Sequence, residues 1–353
     1  MHQPHAPLPE IRTLDDVRAL LADLPAPDEE ARTRARERDA VLTKPPGALG
    51  RLEDIAAFVS AWQGRHPPRL ERVKVAVFAA NHGVAAQGVS AFPADVTAQM
   101  VANFRAGGAA INQLCEAFGH ALEVLPLNDL VPTGDIAREE AMTEAQCVEA
   151  IRAGMEVLHE RNASGAPACD LLCIGEMGIA NTTVASALLH ALFGGHAEDW
   201  VGPGTGVDAA GVRHKAAVVA VAVQRHAEAA NDPLELLRRL GGFEFAAMLG
   251  AILAARLQRV PVLLDGFMTA AAAAVLHAVS PDAIAHCLAG HVSAEPAHAR
   301  ALAHMNLRPL LDLDMRLGEG TGAALAAQVV KAAVATHNGM ATFAEAGVSG
   351  KER

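Results

Sequence analysis

Apolar residues along this chain follow two rhythms. Short, nearly continuous runs fall at 73–80 (VKVAVFAA), 122–127, 170–174, 260–264 and 283–289. Runs of that length, rich in Val, Ile and Leu, read as strands buried on both faces. Between them lie longer segments of helical periodicity, at 95–118, 143–161, 181–193, 208–230 and 243–257. Five alanines in a row, 270–274, read as a tightly packed helix face. Strands alternating with helices predict an α/β fold, a doubly wound parallel sheet with helices on both faces.

Polar and glycine residues close four of the five strand runs. They are Asn81-His82-Gly83, Gly175-Glu176-Met177-Gly178, Asp265-Gly266 and Gly290-His291-Val292-Ser293. Parallel topology puts all these ends on one edge, where open α/β sheets bind ligands. That edge would carry Asn81, His82, Glu176, Asn181, Asp265, His291 and Ser293.

The flanks have a different texture. Residues 1–11 read as disordered, and Thr13 as the cap of a helix through Leu24. A highly charged helix spans 28–42, solvated or facing a partner, and a third helix spans 52–63. Pro45-Pro46-Gly47 breaks the chain between them. Helical texture returns from 294 onward. The predicted division is a large Rossmann-like domain, 66–291, and a small helical domain built from 1–65 and 292–353.

Composition narrows the function. A net charge of −11 argues against nucleic acid, and two tryptophans with no tyrosine leave no base-stacking platform. Apolar runs fall short of the roughly 20 residues of a membrane span. Five cysteines without a CxxC pair suit a reducing cytosol, with Cys169 and Cys173 as small buried hydrophobes. The histidines show no metal-ligand spacing, and no GxSxG nucleophile turn occurs.

Three loops carry candidate chemistry. In Gly318-Glu319-Gly320-Thr321-Gly322 a carboxylate stands between glycines, just before an alanine-rich helical run. It reads either as an acid near a helix cap or as a catalytic group. Gly202-Pro203-Gly204-Thr205-Gly206 precedes another helix, with Lys215 two turns in. Alternating glycines let backbone N–H groups converge on a phosphate, although a plain turn has the same composition. Gly175 to Thr183 is a second loop of this kind, in which Asn181, Thr182 and Thr183 are also good caps. A nucleotide-binding regulator without turnover would use the glycine loops but not Glu319. A dinucleotide dehydrogenase would need GxGxxG after the first strand, which is absent.

Taken together the motifs point to one family. The stretches are LTKPPGALGRLE (42–53), NHGVAAQGVSAFPADVTAQM (81–100), GEMGIANTT (175–183) and GPGTGVDAAGVRHK (202–215). They continue with GGFEFAAMLGAILAA (241–255), PVLLDGF (261–267), HVSAEPAH (291–298) and RLGEGTGAALA (316–326). The chain resembles, in order and over most of its length, the nicotinate-nucleotide–dimethylbenzimidazole phosphoribosyltransferases of the late cobalamin pathway.

The resemblance implies transfer of phosphoribose from nicotinate mononucleotide to 5,6-dimethylbenzimidazole, in a cytoplasmic homodimer, with no metal or other cofactor. It places the catalytic base on Glu319, with Glu176 as the competing carboxylate. Phosphate and ribose contacts fall on Gly178, Gly204, Gly206, Lys215, Asp265 and Ser293. Ser90, Phe92, Gln99 and Leu317 are candidates for the benzimidazole pocket. The chain departs from the commoner pattern at Asn81, Gly290 and Ala297, and lacks the usual Asp-x-Gly within 125–131.

Overall fold

A computed structural model describes residues 8–159 and 169–349. Five strands form the central sheet: β1 (Val73–Ala79), β2 (Ala121–Pro126), β3 (Leu171–Met177), β4 (Val262–Leu264) and β5 (Cys287–Ala289). Their order is β2-β1-β3-β4-β5 and every pair is parallel. The order reverses between β1 and β3, so the edge beyond their carboxyl ends is the expected ligand crevice. A short parallel pair, β6 (His291–Val292) and β7 (Leu311–Asp312), continues past β5.

The first seven helices are α1 (Leu14–Ala22), α2 (Glu29–Asp39), α3 (Arg51–Gln63), α4 (Val96–Arg105), α5 (Ala110–Phe118), α6 (Glu144–Glu156) and α7 (Asn181–Phe193). The others are α8 (Ala209–Arg225), α9 (Pro233–Leu240), α10 (Phe243–Leu257), α11 (Phe267–Val279), α12 (Pro296–His304), α13 (Thr321–Gly339) and α14 (Phe343–Ala346).

Alternation along the strands sorts these helices to two faces. Val73, Val75, Val77, Leu171, Cys173 and Leu263 share one apolar cluster with α3 and α13. Ala76, Phe78, Leu172, Ile174, Val262 and Leu264 share the other with α6, α7, α10 and α11. The five-alanine run sits in α11, where small side chains let it press against α7 and α10.

Several boundaries differ from the sequence reading. The segment 95–118 is two helices, α4 and α5, because Gly107 takes φ +77° between them. β3 runs on to Met177, so Gly175 and Glu176 belong to the strand and not to the loop after it. The run 283–289 shortens to Cys287–Ala289, since Pro281 opens a 3₁₀ turn over its first residues. The predicted disorder of 1–11 falls partly outside the described residues; the helix read over 143–161 ends at Glu156, and its last two residues lie outside them. Ile11 lies within them and is buried, anchoring the start of α1. The charged helix α2 is shorter than read, and buries Ala31 and Ala35 against α3. The two ends of the chain meet, α3 on α13, and both lie on the sheet and share its apolar cluster.

Candidate active site

The carboxyl end of β3 is the centre of the site. Glu176 is buried there, and its Oε2 accepts a hydrogen bond from Asn181 Nδ2 at the start of α7. Desolvation holds the Glu176 carboxyl well above its ordinary range, reinforced by the charges of Asp265 and Glu244. The next turn, Gly178 to Ala180, reverses through Ala180 at φ +73° and opens α7. Ile179 N–H in that turn donates to Thr97 Oγ1 at 3.2 Å.

The loop carrying Glu319 packs directly on this strand end. Glu319 N–H donates to the Glu176 carbonyl at 3.2 Å. Glycine is required on both sides of the contact. A Cβ on Gly175 would lie 2.5 Å from the Glu319 carbonyl carbon, and one on Gly318 2.5 Å from Glu176 Oε1. Glu319 itself sits at φ +64°, a conformation that L residues avoid and that clusters at functional sites. Its side chain is buried and Oε2 has no partner among the described residues. Desolvation raises its pKa, offset in part by the N–H of Ile111 at the amino end of α5.

Asp265, at the end of β4, does something different. Its Oδ1 accepts the Ala323 N–H at 2.9 Å and its Oδ2 the Gly320 N–H at 3.2 Å. It therefore caps α13 from another strand and fixes the residue following Glu319. Burial pushes its pKa up to about 7, against the pull of those N–H groups. His291 Nδ1 stands 3.7 Å from Asp265 Oδ1.

The glycine loop 202–206 closes the other side. Lys215, fully buried on α8, donates to Thr182 Oγ1 at 2.7 Å and to the Gly202 carbonyl at 3.4 Å. Desolvation lowers its pKa to about 8. Glu295 Oε1 accepts the Gly204 N–H at 3.4 Å, and Arg316 Nη1 donates to the Gly204 carbonyl at 3.2 Å. The β6–β7 pair brings the 293–295 and 313–320 loops together, and Ala294 N–H donates to the Met315 carbonyl at 3.0 Å.

Two adjoining cavities, of about 70 and 20 Å³, occupy the space between these loops. Of the residues picked out by sequence, Glu176, Gly178, Gly204, Lys215, Leu317 and Ser90 line one or both. Glu319, Asp265, Ser293, Gly206, Phe92 and Gln99 line neither. Ser293 shapes the wall: its Oγ accepts the Glu295 N–H at 3.2 Å and its own N–H donates to His298 Nδ1 at 2.8 Å. Phe92 is 49% exposed, and Gln99 faces out from α4. Roomier hollows of about 580 and 430 Å³ lie beside α6, but none of the sequence-picked residues lines them.

Glu244, Glu295, Thr182 and Arg316 were not assigned to the site by sequence. Glu244 did leave a signal. It is the only charged residue in the apolar run FEFAAMLGAILAA, where an acid must find a partner.

Known proteins resemble this arrangement over nearly the whole chain. A family model described as Phosphoribosyltransferase matches residues 24–348. The chain belongs to this phosphoribosyltransferase family. A nicotinate-nucleotide–dimethylbenzimidazole phosphoribosyltransferase of Rhizobium etli (strain CIAT 652) is 58% identical over 337 residues, 96% of this chain and 97% of that protein. One of the same name from Sinorhizobium medicae (strain WSM419) is 59% identical over the same shares. The crystal structure of CobT from Thermus thermophilus superposes with a TM-score of 0.85 at 44% identity, covering 91% of this chain and all of that one. Every loop of the site described above falls inside the span matched by the phosphoribosyltransferase family model.

Proposed function

We propose that this chain moves 5-phosphoribose from nicotinate mononucleotide to 5,6-dimethylbenzimidazole. The products are α-ribazole 5′-phosphate, for the lower ligand of cobalamin, and nicotinate. The observation that carries the reading is 58% identity, over 96% of the chain, to a relative named for this reaction. The site geometry supports it independently of that name.

Nicotinate mononucleotide bears a cationic pyridinium on C1′, and neutral pyridine nitrogen is a good leaving group. One ring nitrogen of the benzimidazole attacks C1′ with its lone pair from the opposite face, and the C1′–pyridinium bond breaks. That inverts C1′ from β to α. The second ring nitrogen carries an N–H that turns acidic as positive charge develops on the ring. Glu319 takes that proton, a step worth roughly 10²–10⁴ in rate. A desolvated carboxylate with an unpartnered oxygen is a stronger base than a solvated one. Glu176 lies beneath it at the reacting centre, held by Asn181.

Lys215, Gly178 and Gly204 receive the 5′-phosphate. Lys215 spends two of its three donors on Thr182 and Gly202, which leaves one for an anion in the cavity. Asp265 and Ser293 act one step back, by fixing the Glu319 and Glu295 loops. Gly206 shapes the phosphate loop through its φ of +124°. Leu317 and Ser90 contribute to the acceptor-base pocket, with Phe92 and Gln99 at its rim. The cavities are well below the ~300–1,000 Å³ of small-molecule sites, so binding both substrates at once requires the rim to open.

The protein acts in the cytoplasm as a homodimer, in which the helical ends, 1–65 and 292–353, of one chain help close the other's cleft. Leu317, which lines the larger cavity yet is 57% exposed, and exposed Phe92 are apolar surface that such closure would cover. The test is incubation with nicotinate mononucleotide and dimethylbenzimidazole, assayed for free nicotinate and α-ribazole 5′-phosphate. Failure to release nicotinate only when the base is present would overturn the assignment.

A further inference from the structure

His82 and Glu244 form a buried pair that the chemistry above does not use. His82 Nε2 and Glu244 Oε1 are 2.5 Å apart, and both side chains are wholly buried. His82 follows β1; Glu244 lies in the first turn of α10. The remaining polar atoms of the pair, His82 Nδ1 and Glu244 Oε2, have no partner among the described residues. Burying two ionisable groups and orphaning two atoms is a poor way to stabilise a core, since apolar residues of similar size do better.

The position of the pair accounts for its retention. It is wedged between two glycines. A Cβ on Gly178 would lie 3.1 Å from Glu244 Oε1 and 3.2 Å from His82 Nε2; one on Gly242 would lie 2.8 Å from Glu244 Oε2. Gly178 rests on the pair with one side and lines both cavities with the other. The β1 end also holds the turn directly, through Ala80 N–H to the Met177 carbonyl at 3.0 Å.

We propose that the His82–Glu244 pair is a positioning device that holds the Gly178 turn in the geometry receiving the anionic end of the mononucleotide. A rigid, directional bond under the turn fixes the backbone where an apolar contact would let it slide. Glu176 is coupled to the pair as well: desolvation raises its pKa, and the charges of Asp265 and Glu244 raise it further. The inference rests on the reading that Gly178 and Lys215 bind the mononucleotide.

The test compares Glu244→Gln, which is isosteric, with His82→Gln, their double variant and Lys215→Ala. Calorimetric Kd for nicotinate mononucleotide alone is measured beside KM for both substrates and the melting temperature. A misplacement on the order of 1 Å can cost about 10²-fold, so each pair variant should weaken mononucleotide binding roughly 10- to 100-fold. KM for dimethylbenzimidazole should stay within about twofold, and the double variant should be no worse than the worse single one, because the pair acts as a unit. If Glu244→Gln melts earlier yet keeps the wild-type Kd, the pair is merely structural and the proposal fails. If in that case Lys215→Ala still weakens binding, the site reading stands without it. If Lys215→Ala also leaves Kd unchanged, the site reading fails as well.

Discussion

At the scale of single residues, Glu319 is the most exacting position. It holds a left-handed backbone conformation that costs on the order of 1–3 kcal/mol and a carboxylate oxygen with no partner. Glu319→Gln preserves size but cannot take a proton. It should lower kcat by roughly 10²–10⁴ with mononucleotide binding nearly intact. Acting as the proposed base, Glu319 must be ionised, so kcat should rise with pH through a value above the ordinary 4.5. An acidic limb that persists in Glu319→Gln assigns it to another group, and Glu176→Gln then becomes the decisive variant.

Lys215 predicts the opposite limb. The free enzyme loses its ammonium charge near pH 8, so kcat/KM for the mononucleotide should fall above that pH. Lys215→Ala should raise KM for the mononucleotide more than that for the base, and should lose the limb. Steady-state rates across the neutral and alkaline range check both.

At the scale of elements, the function depends on how α13 is docked. Its N-terminus has no side-chain cap of its own. Asp265, from β4, supplies the acceptors, and a Gly175–Gly320 contact sets the approach. Asp265→Ala leaves two buried N–H groups without a protein partner and should destabilise by roughly 1–3 kcal/mol per group. Asp265→Asn keeps one acceptor and should lose less. Both should also depress kcat, because Gly320 follows Glu319. Urea unfolding and turnover measured together test this; a variant with full kcat and lowered stability would separate the cap from the base. Gly175→Ala should be as damaging through overlap with the Glu319–Gly320 backbone.

At the scale of the whole molecule, the pH dependence of stability is a sum of opposed terms. Among the described residues, burial lowers the pKa of seven histidines: His66, His120, His226, His286, His291, His298 and His337. Unfolded, these bind protons near pH 6.5, and folded they do so only at lower pH. Their stabilisation is therefore complete above that value and lost as pH falls. His286 and His298, both displaced to about 3, each contribute about 1.4 kcal/mol per pH unit across the window. The carboxyls of Glu176, Asp265 and Glu319 are raised, so their contribution is present at low pH and lost as pH rises, through about 7 for Asp265. Three of the histidines move far, His286 and His298 to about 3 and His337 to about 4, against Asp265 and Glu176 among the carboxyls. Melting temperature should fall from about pH 6.5 to about 5, and a rise over that interval would contradict the balance. On assembly, sedimentation of active protein at micromolar concentration should show a species heavier than the 36.7 kDa monomer. A monomer with full activity would end the proposal of a shared cleft.

Much of this was legible in the chain itself. Hydrophobic runs of the right length specify strands and helices locally, and their alternation leaves little besides a parallel sheet. β1, β2, α7 and α10 sit within a residue or two of where periodicity puts them. Glycine spacing also marked Gly178, Gly204 and Lys215, which share a cavity wall. What sequence left open were relations between distant segments. Nothing local says that Asp265 caps a helix 55 residues away, or that Gly175 is glycine because Gly320 lies on it. Asp265 was picked out as the polar end of the fourth strand and Ser293 as that of the fifth, which in fact stops at Ala289; both side chains turn to neighbouring backbone and not to the cavity. Glu244 announced only that it needed a partner; the fold chose His82. Local propensity depends on the next few residues, whereas a buried polar contact depends on which strand ends the sheet order brings together. That order was decided by packing both apolar faces at once.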